Sequence, residues 1–243
     1  MPTMSVSTYS VREQLGPLEF TFTDPSGNEV RLVQPATKEL HLSDFPARAK
    51  TAFGVDAIET VAFQFKGIDD PELDRFAGQL QSSGVRLLNA AIDEGDLLET
   101  DPGKRGADIA AIKKWIDRFA AMGSTFIRVN PCAPMSPDDG QPPPRHLVEA
   151  LRELGAYAAT KGPRLLVENH GGLSSNPVWL NQLLESVGAD YCGLLLDLGN
   201  FDVVHGPVVA HFLGEARAPK RDPGQDTDRV VLSSMYAHIY ALA

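Results

Sequence analysis

Seven short apolar runs are spaced along the chain, and segments with a helical repeat of apolar residues separate most of them. The runs are rich in Val, Ile, Leu and Phe, and several end in polar or turn-forming residues, as buried strands do. Strands that alternate with helices predict a parallel sheet. The runs are 4–11 (MSVSTYSV), 56–63 (DAIETVAF), 85–92 (VRLLNAAI), 126–130 (FIRVN), 164–169 (RLLVEN), 192–200 (CGLLLDLGN) and 235–243 (MYAHIYALA).

Helix start and stop signals lie between these runs. Capping residues followed by proline mark starts, and glycine marks ends, because proline fits the first helical position and glycine adopts the left-handed conformation after the last. Two helices without such pairs are indicated by periodicity alone, over 107–122 and 145–160. The signals are Ser43 and Gly54 around the first helix, Asp70-Pro71 and Gly84 around the second, and Asn176-Pro177 before the last.

The helix predicted over 107–122 carries one apolar stripe, and charged residues lie off that stripe. Such a stripe predicts a helix that covers a sheet. Both tryptophans, Trp115 and Trp179, fall on helical apolar stripes and are predicted to belong to the core. The stripe consists of Ile109, Ile112, Ile116 and Phe119.

The alternation predicts an α/β fold of the TIM (β/α) barrel class, in a single domain over 1–243. Two strand-like segments around the turn-forming residues 24–28 predict a hairpin inserted near 17–35. An open doubly wound sheet is the second interpretation, but it would require a glycine-rich phosphate loop after an early strand, and no such motif occurs.

Composition narrows the function classes. The net charge of −10 argues against a nucleic-acid groove, which needs clustered Lys and Arg. The sequence shows neither a secretory leader nor an apolar run long enough to cross a membrane, so we expect a cytoplasmic protein without a membrane partner. Cys132 and Cys192 lie in separate segments and fit neither a disulfide framework nor a zinc site, so both are predicted to be packing residues.

Polar side chains end several of the predicted strands. In a TIM barrel the carboxyl ends of the strands build the active site, so these side chains are expected at the barrel mouth. Glu168 and Asp197 would offer two carboxylates to a divalent cation. An equally open interpretation is that Glu168 pairs with Arg128 and that Asp197 caps the following turn. The strand-end residues are Arg128, Asn130, Glu168, Asn169, His170, Asp197 and Asn200.

Another strand end carries Asp93 and Glu94, for which a solvated loop is the favoured interpretation. No chemical role is expected for four other histidines, His41, His146, His205 and His211.

Three sequence blocks in order resemble the sugar phosphate isomerase/epimerase family of xylose isomerase-like barrels. They are KRGADIAAIKKWIDRFAAMGSTFIRVNP (104–131), LLVENHGGLSSNP (165–177) and GLLLDLGNF (193–201). The likeness runs from about Ser5 to Phe201. The tract 203–229 departs from the family pattern.

The resemblance implies a divalent-metal enzyme (Mn, Mg, Co or Zn) that isomerises or epimerises a sugar or sugar phosphate through an enediol. Glu168 matches the strand-terminal glutamate that binds the metal and abstracts a proton beside a carbonyl, and Asp197 matches a second ligand. A cation that polarises the carbonyl makes the neighbouring C–H easier to deprotonate. The candidate substrate-binding residues are Arg128, Asn130, Asn169, His170 and Asn200, and Asn200 stands where the family often has histidine.

The resemblance also implies a third ligand, a histidine on the seventh strand, for which His238 or Tyr240 is the match, and His238 is taken as the candidate. No eighth β/α unit follows, so we expect an incomplete barrel of about seven strands. A non-catalytic or decayed barrel is therefore the alternative function, and endonuclease-type or hydrolytic metal chemistry is a weaker one. A homo-oligomer is compatible with the sequence.

Overall fold

A computed structural model describes residues 3–23, 29–132, 136, 139–197, 200 and 238–241. Side chains are described for all of these except 20–23, 29 and 238–241. The chain divides into two compact units, Met1–Ala90 and Ala91–Ala243.

The first unit contains the hairpin, two helices and the first strands of a parallel sheet. Strand β1 pairs in parallel with β4, with Val6 opposite Ile58, and β5 follows β4 in the sheet order. The hairpin strands β2 and β3 pair antiparallel. The elements are β1 (Val6–Ser7), β2 (Leu18–Thr23), β3 (Glu29–Gln34), α1 (Phe45–Phe53), β4 (Ala57–Val61), α2 (Pro71–Ser83) and β5 (Arg86–Ile92), which ends two residues into the second unit.

The second unit alternates helices and strands. Its strands follow one another in the sheet in chain order, and β6, β7 and β8 are parallel neighbours. The elements are α3 (Pro102–Ala121), β6 (Phe126–Val129), α4 (Arg145–Lys161), β7 (Arg164–Glu168), α5 (Pro177–Val187), β8 (Gly193–Asp197) and β9 (His238–Ala241).

The last strand runs in the direction opposite to the prediction. Strand β9 pairs antiparallel with β8, with Asp197 opposite His238 and Leu194 opposite Ala241. The prediction of a seventh parallel strand is therefore wrong, although the strand itself is present.

The first predicted strand is much shorter than expected. Only Val6–Ser7 is extended, and a 3₁₀ helix over Thr8–Gln14 follows. The Ser7 hydroxyl accepts a hydrogen bond from the Tyr9 backbone N–H at 3.2 Å. This capping bond begins a helical turn directly after two extended residues, because serine competes with the strand ladder for backbone partners.

Most helix signals are confirmed. The Asp70 carboxylate caps α2 and accepts from the Glu72 N–H at 2.9 Å, and the Asn176 side chain caps α5. Gly54 and Gly84 end α1 and α2 with φ of 68° and 65°, in the left-handed region that glycine adopts without strain.

Two helix predictions are wrong. Ser43 does not cap α1: it lies in a 3₁₀ turn, its N–H donates to Glu72 Oε1, and Asp44 is the residue before the helix. Helix α3 begins at Pro102 rather than at Ala107, because Asp101 caps it by accepting from the Lys104 N–H. The start signal of α3 is the pair Asp101-Pro102, which is of the same kind as the pair Asp70-Pro71 that begins α2.

The core of the second unit lies between the helices and the strands. The predicted stripe of α3 is buried, and Trp115 and Trp179 are 4 % and 3 % exposed, so their assignment to the core is confirmed. Both cysteines are also buried and unbridged. No helix of the described chain is both apolar enough and long enough to cross a membrane.

Candidate functional site

The register of the second unit places the strand-end side chains on one face. Arg128 on β6 is opposite Leu166 on β7, and Glu168 on β7 is opposite Leu195 on β8. Because side chains alternate between faces, Arg128, Glu168 and Asp197 all project to the same side. Glu168 lies two residues, or about 7 Å, beyond the residue of β7 that pairs with Arg128. Asp197 lies the same distance beyond the residue of β8 that pairs with Glu168. The three residues therefore form a staggered row along this face.

Arg128 connects the Glu168 carboxylate of this row with a second carboxylate outside it, that of Asp93. Its Nε lies 2.7 Å from Glu168 Oε2, and its Nη1 donates to Asp93 Oδ1 and, at 3.0 Å, to Asn130 Oδ1. The side chains of Arg128 and Glu168 are only 7 % and 4 % exposed. The buried guanidinium holds Asp93 by a charge-assisted hydrogen bond and Glu168 by an ion pair. The ion pair between Glu168 and Arg128, one of the two interpretations of the sequence, is therefore present in the structure.

Asn169 faces away from this row and contacts the neighbouring strand. Its Nδ2 donates to the Asp197 carbonyl and its Oδ1 accepts from the Asp197 N–H, both at 2.8 Å. The side chain is completely buried. Asn169 therefore extends the hydrogen-bond ladder between β7 and β8 and fixes the backbone that carries the Asp197 carboxylate. Asp197 itself is 1 % exposed.

His170 and Asn200 border the same carboxylates. Asn200 Nδ2 donates to Glu168 Oε1 at 3.3 Å. The charges of Arg128, Asp93 and Asp197 all act on the His170 ring, and burial, followed by Arg128, lowers the pKa of His170 although both aspartates oppose this. At neutral pH the imidazole is therefore uncharged. Its Nδ1 is buried without a hydrogen-bond partner in the described part of the chain.

Asp93 belongs to this cluster, which the sequence did not indicate. Instead of lying in a solvated loop, its side chain is 17 % exposed and its Oδ1 accepts from Arg128 and, at 2.7 Å, from Asn130 Nδ2. Burial alone would raise the pKa of Asp93, but the Arg128 guanidinium holds it below the ordinary aspartate value, with help from His170 and Asn130. The solvated-loop prediction for Asp93 is wrong because its partner is 35 residues away in the chain.

The donor chemistry of the row suits a hard divalent cation. Glu168 and Asp197 are buried carboxylates on one face of adjacent strands, and such oxygens are the ligands that Mg²⁺ and Mn²⁺ prefer. The backbone of His238 lies opposite Asp197 on β9, and its side chain is outside the described residues. Within the described side chains, no group of three His, Cys, Asp or Glu is arranged to hold a metal ion. The two carboxylates therefore need a further donor.

A second buried polar cluster lies in the first unit. Glu59 on β4 accepts from the Ser5 hydroxyl at 2.7 Å and from Asn89 Nδ2 at 3.1 Å. Glu59 and Asn89 are 4 % and 2 % exposed. Two surface cavities of about 250 Å³ also belong to this unit, one beside Gly16 and one beside Gly54.

Comparison with known proteins points to one family. The family model described as xylose isomerase-like TIM barrel matches residues 46–220. No curated protein matches the chain by sequence.

Solved structures share the fold at low sequence identity. L-ribulose 3-epimerase is 15% identical with a TM-score of 0.60, and the match covers 88% of this chain and 68% of that one. A xylose isomerase-like TIM barrel protein from Mycobacterium smegmatis, solved in complex with magnesium, is 16% identical with a TM-score of 0.58 and coverage of 99% and 82%.

A third structure, the 3-keto-D-glucoside 4-epimerase YcjR from E. coli, is 14% identical with a TM-score of 0.51. There the match covers 62% of this chain and 61% of the epimerase, so this chain spans about three fifths of that relative. The predicted TIM barrel is therefore confirmed. Six of the eight parallel strands of such a barrel lie within the described residues.

Proposed function

Because this chain belongs to the xylose isomerase-like TIM barrel family, we propose that it isomerises or epimerises a sugar or sugar phosphate. The observation that carries the proposal is the buried Glu168 carboxylate, which ends β7 on the same face as Asp197 at the end of β8. Catalytic groups of TIM barrels occupy this place. Several proteins that share the fold are sugar epimerases, which is consistent with this reaction class.

Glu168 is the proposed proton-transfer group. For an isomerisation, its carboxylate would take the proton from the carbon beside a sugar carbonyl and return it to the neighbouring carbon on the same face. An epimerisation would also need a second proton-transfer group on the opposite face. Arg128 and Asn200 hold the two Glu168 oxygens from different sides, which fixes the orientation of the carboxylate. Asn130 and His170 are the proposed substrate contacts in the second unit, and Asn169 is a positioning residue that acts through Asp197.

A divalent cation is the proposed cofactor, and Glu168, Asp197 and His238 are the residues that would hold it. When bound, the cation would stabilise the negative charge that develops on the carbonyl oxygen as the proton leaves. The buried carboxylates supply the ligand type that such a cation prefers.

A non-catalytic barrel is the second candidate, and one observation favours it. The contacts of Arg128 with Glu168 and Asp93 form a buried ion-pair network that would also be found at a structural site. Removing one member of such a pair is strongly destabilising, by roughly 3–5 kcal/mol. Stability and turnover therefore separate the two candidates.

The test is the variant Glu168→Gln, which keeps the shape and removes the charge. A panel of ketoses is incubated in D₂O with Mg²⁺, Mn²⁺ or Co²⁺, and deuterium incorporation beside the carbonyl is followed by NMR. Loss of the general base is expected to lower exchange by about 10² to 10⁴. The matched control is Glu185→Gln, the same change at an exposed residue of α5 whose carboxylate accepts from Asn181.

Chemical denaturation of the same variants completes the test. A catalytic Glu168 predicts loss of exchange with both variants still folded. A wild-type protein without exchange on any ketose, together with a loss of several kcal/mol in the unfolding free energy of Glu168→Gln, would support the structural candidate and contradict the enzyme.

A further inference from the structure

Asp93 Oδ2 and His170 Nδ1 are among the buried polar atoms of the second unit that have no hydrogen-bond partner within the described residues. The other Asp93 oxygen is fully used, since Oδ1 accepts from both Arg128 and Asn130. A buried polar atom that is left unpaired loses its hydrogen bonds to water without replacement, so native proteins nearly always provide a partner. These two atoms therefore need a partner from outside the described chain.

The two atoms belong to one place. Asp93 Oδ1 accepts from Arg128, whose Nε lies 2.7 Å from Glu168 Oε2, and His170 follows Glu168 by two residues. Asp93 follows β5 and His170 follows the end of β7, so each is at a strand end of the second unit. Glu168, the proposed proton-transfer group, ends β7 two residues before His170.

We propose that Asp93 Oδ2 and His170 Nδ1 form a subsite that binds two hydroxyl groups of an uncharged polyhydroxylated ligand. This inference rests on the proposed function and specifies which part of the substrate the site recognises. A hydroxyl donates one hydrogen bond and accepts others, so it suits a carboxylate oxygen and also either tautomer of an imidazole nitrogen. Asn130 and Arg128 both donate to Asp93 Oδ1 and thereby fix the rotation of the carboxylate. The second oxygen, Oδ2, is left for the contact with the ligand.

The charge of the subsite selects against anions. Arg128 holds the pKa of Asp93 below its ordinary value despite burial, so Asp93 is an acceptor at neutral pH. The guanidinium that could attract a phosphate already contacts the carboxylates of Asp93 and Glu168. A phosphate or carboxylate placed at Asp93 Oδ2 would meet a like charge, which is strongly unfavourable when desolvated. The subsite therefore fits the hydroxyl-bearing part of a sugar and not a phosphorylated end.

The test measures binding without turnover. Ribitol and D-mannitol have no carbonyl and cannot be isomerised, so their dissociation constants from the intact chain report the subsite alone. A hydrogen bond to a charged group contributes enough that its loss weakens binding about tenfold to a hundredfold. We expect this weakening in Asp93→Ala. We expect inorganic phosphate not to compete with the polyols.

Variants of His170 distinguish its two ring nitrogens. An asparagine side chain places a polar atom near the position of Nδ1, whereas glutamine places one near Nε2. His170→Asn is expected to keep polyol binding within a few fold of wild type, while His170→Gln weakens it about as much as Asp93→Ala. The control is Asp190→Asn, which changes an exposed aspartate in the same unit.

The variant Asp93→Asn serves as the control for folding. It keeps an oxygen for Arg128 and Asn130 and replaces the acceptor Oδ2 by an amide donor. Its thermal unfolding shows whether Asp93 variants remain folded, and its affinity is expected between those of wild type and Asp93→Ala.

The outcomes separate the subsite from the proposed function. Polyol binding that depends on Asp93, in a protein without proton exchange on any ketose, would support the subsite and contradict the enzyme. Proton exchange together with polyol affinities that do not respond to Asp93→Ala would overturn the subsite and leave the enzyme. Absence of saturable binding of both polyols to wild type would also overturn the subsite.

Discussion

One side chain, Arg128, organises the candidate site at the scale of single residues. It is buried and contacts carboxylates that follow or end two other strands, Asp93 after β5 and Glu168 on β7. A planar guanidinium can donate in several fixed directions at once, which a lysine ammonium on a flexible stem does not do. Arg128 thereby determines which oxygens of the two carboxylates remain available to a ligand.

The two cysteines give a prediction at the same scale. Burial raises the pKa of both thiols, that of Cys192 to about 12, so at pH 8 almost none of either is in the reactive thiolate form. We expect no reaction of the native protein with a thiol reagent at pH 8, and two reacting thiols after unfolding in guanidinium chloride. The release of chromophore from an aromatic disulfide reagent measures both. Rapid labelling of the native chain would show that one thiol is not buried.

At the scale of secondary-structure elements, strand alternation and helix capping explain most of what is observed. The predicted apolar runs all contain strands, and the polar residues that end β6, β7 and β8 lie on the faces that alternation requires. The alternation also explains why Asn169 differs from its neighbours Glu168 and His170: it lies on the other face and bonds to the backbone of β8.

Close packing of α4 against the turn before β8 gives a prediction for an element. A Cβ added to Gly155 would lie 2.8 Å from the carbonyl carbon of Tyr191, which is backbone and cannot rotate away. Gly155→Ala is therefore expected to lower the free energy of unfolding by roughly 1–3 kcal/mol although alanine favours helices. Denaturant titration measures this change.

The matched control is Gly106→Ala in α3, where an added Cβ has no neighbour within 4 Å. There the helix propensity of alanine should raise the unfolding free energy by roughly 0.5–1 kcal/mol. Equal effects of the two substitutions would mean that α4 does not approach Tyr191 as described.

Metal binding would act on the stability of the whole molecule. A ligand that binds only the folded chain stabilises it by about 2.7 kcal/mol at a hundred times its dissociation constant. For a chain of this size that corresponds to an increase of roughly 5–10 °C in the unfolding temperature. We expect Mg²⁺ or Mn²⁺ to produce such an increase, and chelation to reverse it, in a thermal unfolding assay.

Asp197→Asn should abolish this increase, because it removes a proposed ligand while leaving the backbone bonds to Asn169 in place. Asp190→Asn should retain the increase. The same increase in wild type and Asp197→Asn would place the cation elsewhere.

The fold class of the whole molecule was available from the sequence, and part of the site was too. Apolar periodicity and proline–glycine punctuation act over a few residues, so they predicted the strands, most helix ends and the barrel. Strand-end placement predicted that Arg128, Glu168 and Asp197 would share a face. The errors at Ser7, Ser43 and Pro102 are local competitions between capping and extension, which periodicity alone does not decide.

Only the tertiary structure decided which polar groups meet. Asp93 and Arg128 are 35 residues apart, and Asn169 and Asp197 are 28 apart, so no local pattern relates them. The direction of β9 was likewise undetermined, since an apolar run of four or five residues can pair in either sense and its direction depends on where the preceding segment returns to the sheet. The sequence alone determined where the strands lie along the chain, although not where β1 ends, because burial and backbone geometry act on neighbouring residues. Hydrogen bonding and charge act between residues that the fold brings together, and they decided the pairing of the buried carboxylates.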